Sequence, residues 1–138
     1  DREQHVARDK ATSHICSNQA LNAIRVAVHL ACLGERNFIQ IAEANASNAA
    51  MLRDLLLALP GIKLLRTGVH FNEFAIELPV PALEFCARMK RFGIFAGVSL
   101  SESLAGHQRG LLIAVTEVKT AADLQSYAKY AMACLKGV

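Results

Sequence analysis

The chain has 138 residues, of which 53% are hydrophobic and 20% charged, and its net charge is +3. This length and composition predict one folded domain with a buried core and exclude a disordered chain. No apolar run reaches the roughly 18 uncharged residues that a membrane span requires. The basic residues are scattered, and the chain has no Trp and two Tyr, which argues against a nucleic-acid surface. We therefore expect neither a membrane nor a nucleic acid as a partner.

The first predicted helix, residues 17–33, is unusually apolar. Its polar residues fall at steps of four, three and four and form one narrow stripe, Asn18, Asn22, Arg25 and His29. A helix with so little polar surface is buried on most sides, and Gly34 ends it as a C-terminal glycine does. Because a small sheet cannot cover so many apolar side chains, we expect part of this helix to contact another domain or subunit.

The remaining elements follow from hydrophobic periodicity. A period of 3.6 predicts helices, and a period of two predicts strands. The helices are expected at residues 37–59, 82–92 and after Thr120, and the strands at 62–65, 73–78, 94–100 and 111–115. Thr120 and Asp123 form a relative of the capping box.

The element order α-α-β-β-α-β-β-α predicts an α+β two-layer sandwich, with a mostly antiparallel sheet of about four strands and the helices on one face. We expect a single domain over residues 1–138, with an N-terminal arm at 1–16 and the α+β domain at 17–138. The chain begins at Asp1, inside a charged segment, and we therefore expect it to be a piece of a longer protein.

Residue spacing alone does not indicate an enzyme. There is no P-loop and no G-x-S-x-G or G-x-G-x-x-G motif, and the five histidines show no metal-ligand spacing, so we expect no metal site. The cysteines contain no C-x-x-C pair and are expected to be buried free thiols in a reducing cytoplasm; they are Cys16, Cys32, Cys86 and Cys134. Glu73 and Glu77 are one option for an acid–base pair, but the solvated face of a sheet explains them better.

The most specific segment is the opening one. REQHVARDKATSHICSNQAL, residues 2–21, resembles the start of the small domain in first subunits of the glycine decarboxylase family, the P-protein of the glycine cleavage system. NEFAIELP at 72–79 and LLIAVTEVKT at 111–120 are similar to later segments of that family, so the resemblance spans essentially the whole chain. The chain departs from the family pattern at Val6, Ala7, His14 and Ser17.

The resemblance implies the type I fold of pyridoxal-phosphate enzymes, and the chain looks like its small C-terminal domain alone. The family decarboxylates glycine and passes the aminomethyl group to the lipoyl arm of the H-protein. In two-subunit forms the Schiff-base lysine belongs to the second subunit. The resemblance therefore implies a cytoplasmic heterotetramer in which the partner subunit binds pyridoxal phosphate, and no cofactor bound by this chain.

Lys10 is the only lysine in the opening segment. A Schiff-base lysine requires a desolvated pocket, whereas Glu3 and Asp9 favour a charged ammonium, so we predict a structural or interface role for Lys10 and no catalytic residue in the chain. The predicted interface residues are Arg2, His5, Arg8, Lys10, Asn18, Asn22, Arg25 and His29. We expect the chain alone to be inactive and to form a homodimer through its arm and first helix.

Two alternatives remain open at this point. In one, the chain is the small domain of another type I pyridoxal-phosphate enzyme such as an aminotransferase, in which Arg109 is the best candidate to bind a substrate carboxylate. A free-standing α+β interaction module is the other alternative. The missing initial Met and the apolar first helix argue against that last alternative.

Overall fold

The computed structural model describes residues 17–101 and 106–136, and it leaves the side chains of Ser17 and Asn18 undescribed. The elements are α1 (Ser17–Leu57), β1 (Lys63–Leu64), β2 (Glu73–Glu77), α2 (Ala82–Lys90), β3 (Val98–Ser99), β4 (Gly110–Ala114) and α3 (Ala121–Leu135). The chain divides into two compact units, Asp1–Gln40 and Ile41–Val138. Among the described residues, no helix is both long enough and apolar enough to span a bilayer.

Gly34 interrupts α1, so that α1 consists of two helical segments. Its φ of 72° and ψ of 161° are non-helical, and glycine adopts this conformation easily because it has no Cβ. Asn37 Nδ2 donates to the carbonyl oxygen of Leu33 at 2.8 Å, immediately before the break. The predicted end of the first helix at Gly34 is therefore confirmed.

The four strands form one antiparallel sheet in the order β1-β2-β4-β3. In the central pair, Phe74 lies opposite Ile113 and Ile76 lies opposite Leu111. These four side chains are buried, whereas Glu73, on the alternate face, is exposed. The register therefore gives the sheet one apolar face and one partly solvated face, as the period of two predicts.

The core joins the apolar face of the sheet to all three helices. Leu56 of α1, Phe85 and Met89 of α2, and Ala131 of α3 are fully buried in the same cluster as Ile76. The predicted α+β sandwich, with helices covering one sheet face, is confirmed. The edge strands β1 and β3 have two residues each, which is shorter than predicted, because an edge strand has only one neighbour to pair with.

Polar contacts stabilise both ends of α3. Thr120 caps α3: its hydroxyl accepts from the backbone N–H of Asp123, whose carboxylate accepts from the backbone N–H of Thr120. At the other end of α3, Arg88 Nη1 donates to the carbonyl oxygen of Cys134 at 2.6 Å, and Arg88 Nη2 contacts Glu84 at 2.6 Å. The capping box predicted from the sequence is confirmed.

The prediction that the first helix is buried on most sides is wrong for this chain. Every described side chain from Gln19 to Gln40 is exposed except that of Leu33, which is half-buried. Cys32, predicted to be a buried thiol, is exposed on this segment. The apolar pattern of a helix indicates which side chains favour burial. It does not indicate whether the same chain supplies the surface that buries them.

Candidate functional site

A groove of about 670 Å³ lies in the second unit, beside α3. Its walls are formed by the segment before β3, by β4 and by α3, and four aromatic side chains line it, Phe92, Phe95, Tyr127 and Tyr130. The rings of Phe92 and Tyr130 stack with their centroids 4.8 Å apart, whereas Phe95 is 88% exposed. This volume and apolar lining are typical of a binding surface.

Tyr127 has a structural role in the groove. Its hydroxyl donates to the carbonyl oxygen of Ala96 at 2.6 Å. Burial raises the pKa of Tyr127 far above its ordinary value, so the phenol keeps its proton at neutral pH. The hydrogen bond ties α3 to the segment before β3, and these are two of the walls of the groove.

Three charged residues also line the groove. They are Glu73, Lys119 and Asp123, and Asp123 is engaged by Thr120. The backbone N–H of Thr120, and next its hydroxyl, hold the pKa of Asp123 below its ordinary value. The carboxylate is therefore ionised at neutral pH, which suits capping and charge pairing and does not suit a proton donor.

Arg109, the candidate for binding a substrate carboxylate, is paired with Glu77. Its Nη2 lies 2.7 Å from Glu77 Oε1, and the two side chains are 53% and 39% exposed. A salt bridge this exposed contributes at most about 1 kcal/mol to the free energy of folding. A substrate carboxylate at Arg109 would compete with Glu77, and the assignment stays a prediction. Glu73, which shares a strand face with Glu77, instead lines the groove.

The predicted interface residues fall in two groups. Asn22, Arg25 and His29 are exposed on the first segment of α1. The side chain of Asn18 lies outside the described structure, as do the remaining four residues, Arg2, His5, Arg8 and Lys10. The interface assignment stays a prediction for all eight.

Burial disfavours two of the described thiols as nucleophiles. Cys86 is half-buried and Cys134 is buried, and burial raises the pKa of both thiols. For Cys134 the nearby Arg88 and Arg91 oppose this shift. Raised pKa values favour the inert thiol over the thiolate. Residues 17–101 and 106–136 contain no group of three potential metal ligands, and Cys16 lies outside them.

The described lysines do not fit a Schiff-base role. A Schiff-base lysine is activated by desolvation, which disfavours its ammonium form. In the described ranges every lysine is exposed, namely Lys63, Lys90, Lys119, Lys129 and Lys136. We therefore assign none of these lysines to pyridoxal phosphate.

The groove and the role of the residues that line it were not predicted from the sequence. Asp123, Tyr127 and Tyr130 are spaced at i, i+4 and i+7 on α3, which places them on one side of a helix. This spacing is the signal that the sequence offers for the α3 side of the groove. The contribution of the segment before β3 requires the tertiary structure.

Comparisons with known proteins agree on one family. Residues 1–130 match the family described as Glycine cleavage system P-protein. The chain is 46% identical over 127 residues to probable glycine dehydrogenase (decarboxylating) subunit 1 of Chlorobium chlorochromatii, covering 91% of this chain and 28% of that protein. It is 41% identical over 128 residues to the protein of the same name from Geotalea uraniireducens, covering 93% of this chain and 29% of that protein.

Solved structures give the same result. The structure of glycine decarboxylase (P-protein) of the glycine cleavage system, in inhibitor-bound form, matches with a TM-score of 0.80 at 29% identity, covering 97% of this chain and 30% of that chain. A NifS-like protein matches with a TM-score of 0.61 at 13% identity, covering 75% of this chain and 30% of that chain, which shows a shared fold alone.

The chain spans less than a third of the length of these relatives. The resemblance first seen in residues 2–21 is nevertheless confirmed along almost the whole chain. The chain belongs to the glycine cleavage system P-protein family.

Proposed function

We propose that this chain forms the C-terminal small domain of the first subunit of a glycine dehydrogenase (decarboxylating), and that its role is assembly. The supporting observation is its identity of 41–46% with subunit 1 proteins over more than nine-tenths of its length. The activity belongs to the complete enzyme, which decarboxylates glycine and transfers the aminomethyl group to the lipoyl H-protein.

In this proposal the partner subunit carries the lysine that binds pyridoxal phosphate. The cofactor, when bound there, supplies the electron sink for decarboxylation. The exposed lysines of the described residues support this division of roles, because none is desolvated. This chain contributes packed surfaces that position the rest of its own subunit against the partner.

The proposed partners are the second subunit, in a cytoplasmic heterotetramer, and indirectly the H-protein. The exposed polar stripe of Asn22, Arg25 and His29 supports a role in subunit contact. Each of these side chains is exposed and lies at helical spacing on one side of the first segment of α1.

The test compares two preparations for exchange of labelled bicarbonate with the glycine carboxyl group, and a third for co-purification of the two subunits. The complete first subunit with its second subunit and H-protein is expected to exchange the label, whereas this chain alone is expected not to. A first subunit that lacks this region is expected not to co-purify with the second subunit.

Two results would contradict the proposal. The first is robust exchange by the chain alone, since it requires a catalytic site within these 138 residues. The second is borohydride reduction that traps pyridoxal phosphate on Lys10, which would assign the cofactor lysine to this chain.

A further inference from the structure

The end of strand β4 forms an open edge of the sheet within the groove beside α3. β4 ends at Ala114, two residues beyond Leu112, the last residue that pairs with β3. Leu112 and Ala114 share one face of the sheet, whereas Ile113 and Val115 lie on the other, and all four line the groove. One groove reaches both faces of a sheet only around an open edge. We name the end of β4 beyond Leu112 the open edge.

The backbone polar groups of Ala114 are directed outward at the open edge. In an antiparallel sheet, successive residues of a central strand hydrogen-bond alternately to its two neighbours. The N–H of Val115 donates to the carbonyl oxygen of Asn72 at 2.8 Å on the β2 side, and the carbonyl oxygen of Gly110 accepts from the N–H of Leu100 at 2.9 Å on the β3 side. Odd-numbered residues of β4 therefore face β2 and even-numbered ones face β3. The N–H and C=O of Ala114 point toward the β3 side, beyond the last β3 pair.

An apolar extended segment fits the open edge. The N–H and C=O groups of an edge strand pair with a further strand, whereas a helix uses its own backbone groups internally. Alternate side chains of an added strand lie on the two faces of the sheet, one set on the side of Val98 and the other on the side of α3, where Tyr127 lines the groove. Val98 is 61% exposed, and Phe95 beside it in the groove is 88% exposed. Both sets of side chains therefore meet apolar or aromatic surface.

The size of the groove and the length of the relatives indicate where this segment resides. Interfaces between separate proteins use about 20–30 residues a side, whereas a groove of about 670 Å³ holds only a few residues. A segment of the same polypeptide docks without the loss of translational freedom that association of two molecules costs. The chain covers 28–29% of the subunit 1 proteins that it matches, so more than two-thirds of each relative lies outside the matched region.

We propose that an apolar extended segment from the remainder of the subunit-1 chain completes the open edge and hydrogen-bonds to Ala114 as an added strand. The segment continues the line of β3 along β4 and fills the groove beside Phe95. This inference rests on the proposed function, and it adds the docking site, the secondary structure of its occupant and the chemistry of the occupant's side chains.

The first experiment identifies the occupant in the complete first subunit, purified with its second subunit. The photo-cross-linking residue p-benzoylphenylalanine replaces Phe95 in the groove. The matched control replaces Phe71, which is 53% exposed and does not line the groove. Mass spectrometry identifies the cross-linked peptides. We expect several-fold more product from position 95 than from position 71, joined to a segment of the same subunit outside the 138 residues of this chain.

The second experiment tests whether the occupant is a strand, by hydrogen exchange at single-residue level in the same complex. Val69, whose side chain is fully exposed in the loop before β2, gives the rate of a free amide after correction for intrinsic rates. Val115, whose N–H donates to Asn72, gives the rate of a paired one. We expect the N–H of Ala114 to exchange on the order of tenfold or more slower than that of Val69, because strand pairing protects an amide.

Each other result overturns the inference. Equal yields from positions 95 and 71, or a product joined to residues 1–40, to the second subunit or to a second copy, would mean that the groove has a different occupant. An Ala114 amide that exchanges as fast as that of Val69 would mean that the occupant does not pair as a strand. Bicarbonate exchange by the unmodified complex is measured in parallel. Exchange of the label without the cross-link from position 95 contradicts the inference alone, whereas the cross-link without exchange of the label supports the inference and contradicts the proposed function.

Discussion

The side-chain oxygen of Asn45 accepts a hydrogen bond from the backbone N–H of Glu117 at 2.7 Å. One turn later in α1, Asn48 Nδ2 donates to the carbonyl oxygens of Thr116 at 3.2 Å and Lys119 at 2.8 Å. Both side chains thus hold the turn between β4 and α3 against α1. This turn leads into the Thr120 cap and carries Lys119 at the groove.

Replacing Asn48 by Ala should destabilise the domain by about 1–2 kcal/mol, because two hydrogen bonds are lost. Urea unfolding followed by circular dichroism measures the change. Ser47→Ala, at the exposed neighbouring position, is the control and should shift the free energy of unfolding by less than about 0.5 kcal/mol. Equal effects of the two variants would show that the turn does not depend on Asn48.

The ionised carboxylate of Asp123 should make the capping contribution depend on pH. Its pKa is lower in the folded chain than its ordinary value of 3.8, so the contribution is complete above that value and is lost as the pH falls through the folded pKa. The stability difference between the unmodified chain and Asp123→Asn should therefore be present at neutral pH and shrink below about pH 4. A difference that stays constant in urea titrations across this range would contradict the assigned role.

Phe85 anchors α2 in the core with no exposed surface. Phe85→Ala should lower the free energy of unfolding by about 3–5 kcal/mol, because apolar burial is lost and a cavity remains. Leu83, two residues earlier in the same helix, is 58% exposed, and Leu83→Ala should change the free energy of unfolding by less than about 0.5 kcal/mol. Thermal unfolding by calorimetry compares the two, and similar losses would mean that α2 packs through a different face.

Gly97 is required where β3 approaches β4. Its φ is +147°, and an added Cβ would lie 2.3 Å from the carbonyl oxygen of Leu112. Gly93 also has a positive φ, of +74°, but nothing lies within 4 Å of an added Cβ. Gly93→Ala should therefore lower the free energy of unfolding by about 1–2 kcal/mol through conformational strain. Gly97→Ala should lower it further, because it also weakens the β3–β4 pairing. The backbone N–H of Leu100 donates to the carbonyl oxygen of Gly110, so hydrogen exchange at Leu100 measures this pairing. Unchanged protection of Leu100 in Gly97→Ala would contradict the prediction.

The chain on its own should self-associate as its concentration rises, because one face of the first segment of α1, which includes Val28, exposes large apolar side chains. Val28 is 56% exposed, so Val28→Glu should give a soluble monomer with unchanged helical circular dichroism. Asn22→Glu, on the polar stripe, should leave self-association unchanged. Sedimentation equilibrium measures the mass of each variant. Unfolding of Val28→Glu, or a monomeric unmodified chain at high concentration, would show that this face is covered within the chain.

The sequence by itself determined the elements that depend on local interactions. The change from a period of 3.6 to a period of two located the helices and the central strands, since side-chain periodicity follows directly from backbone geometry. The break in α1 at Gly34 and the capping of α3 by Thr120 were also predictable, because each involves residues at most three or four apart. The opening segment identified the family through matched positions, without any knowledge of the fold.

The tertiary structure alone decided the relationships between distant residues. Asn45 and Glu117 are separated by 72 positions, and no periodicity links an amide side chain on a helix to a turn that far along the chain. The groove likewise requires Phe92, in the turn after α2, to meet Tyr130 of α3. Burial was predicted wrongly for the first segment of α1, because an apolar pattern encodes the need for a covering surface, while the packed structure determines whether that surface belongs to the same chain.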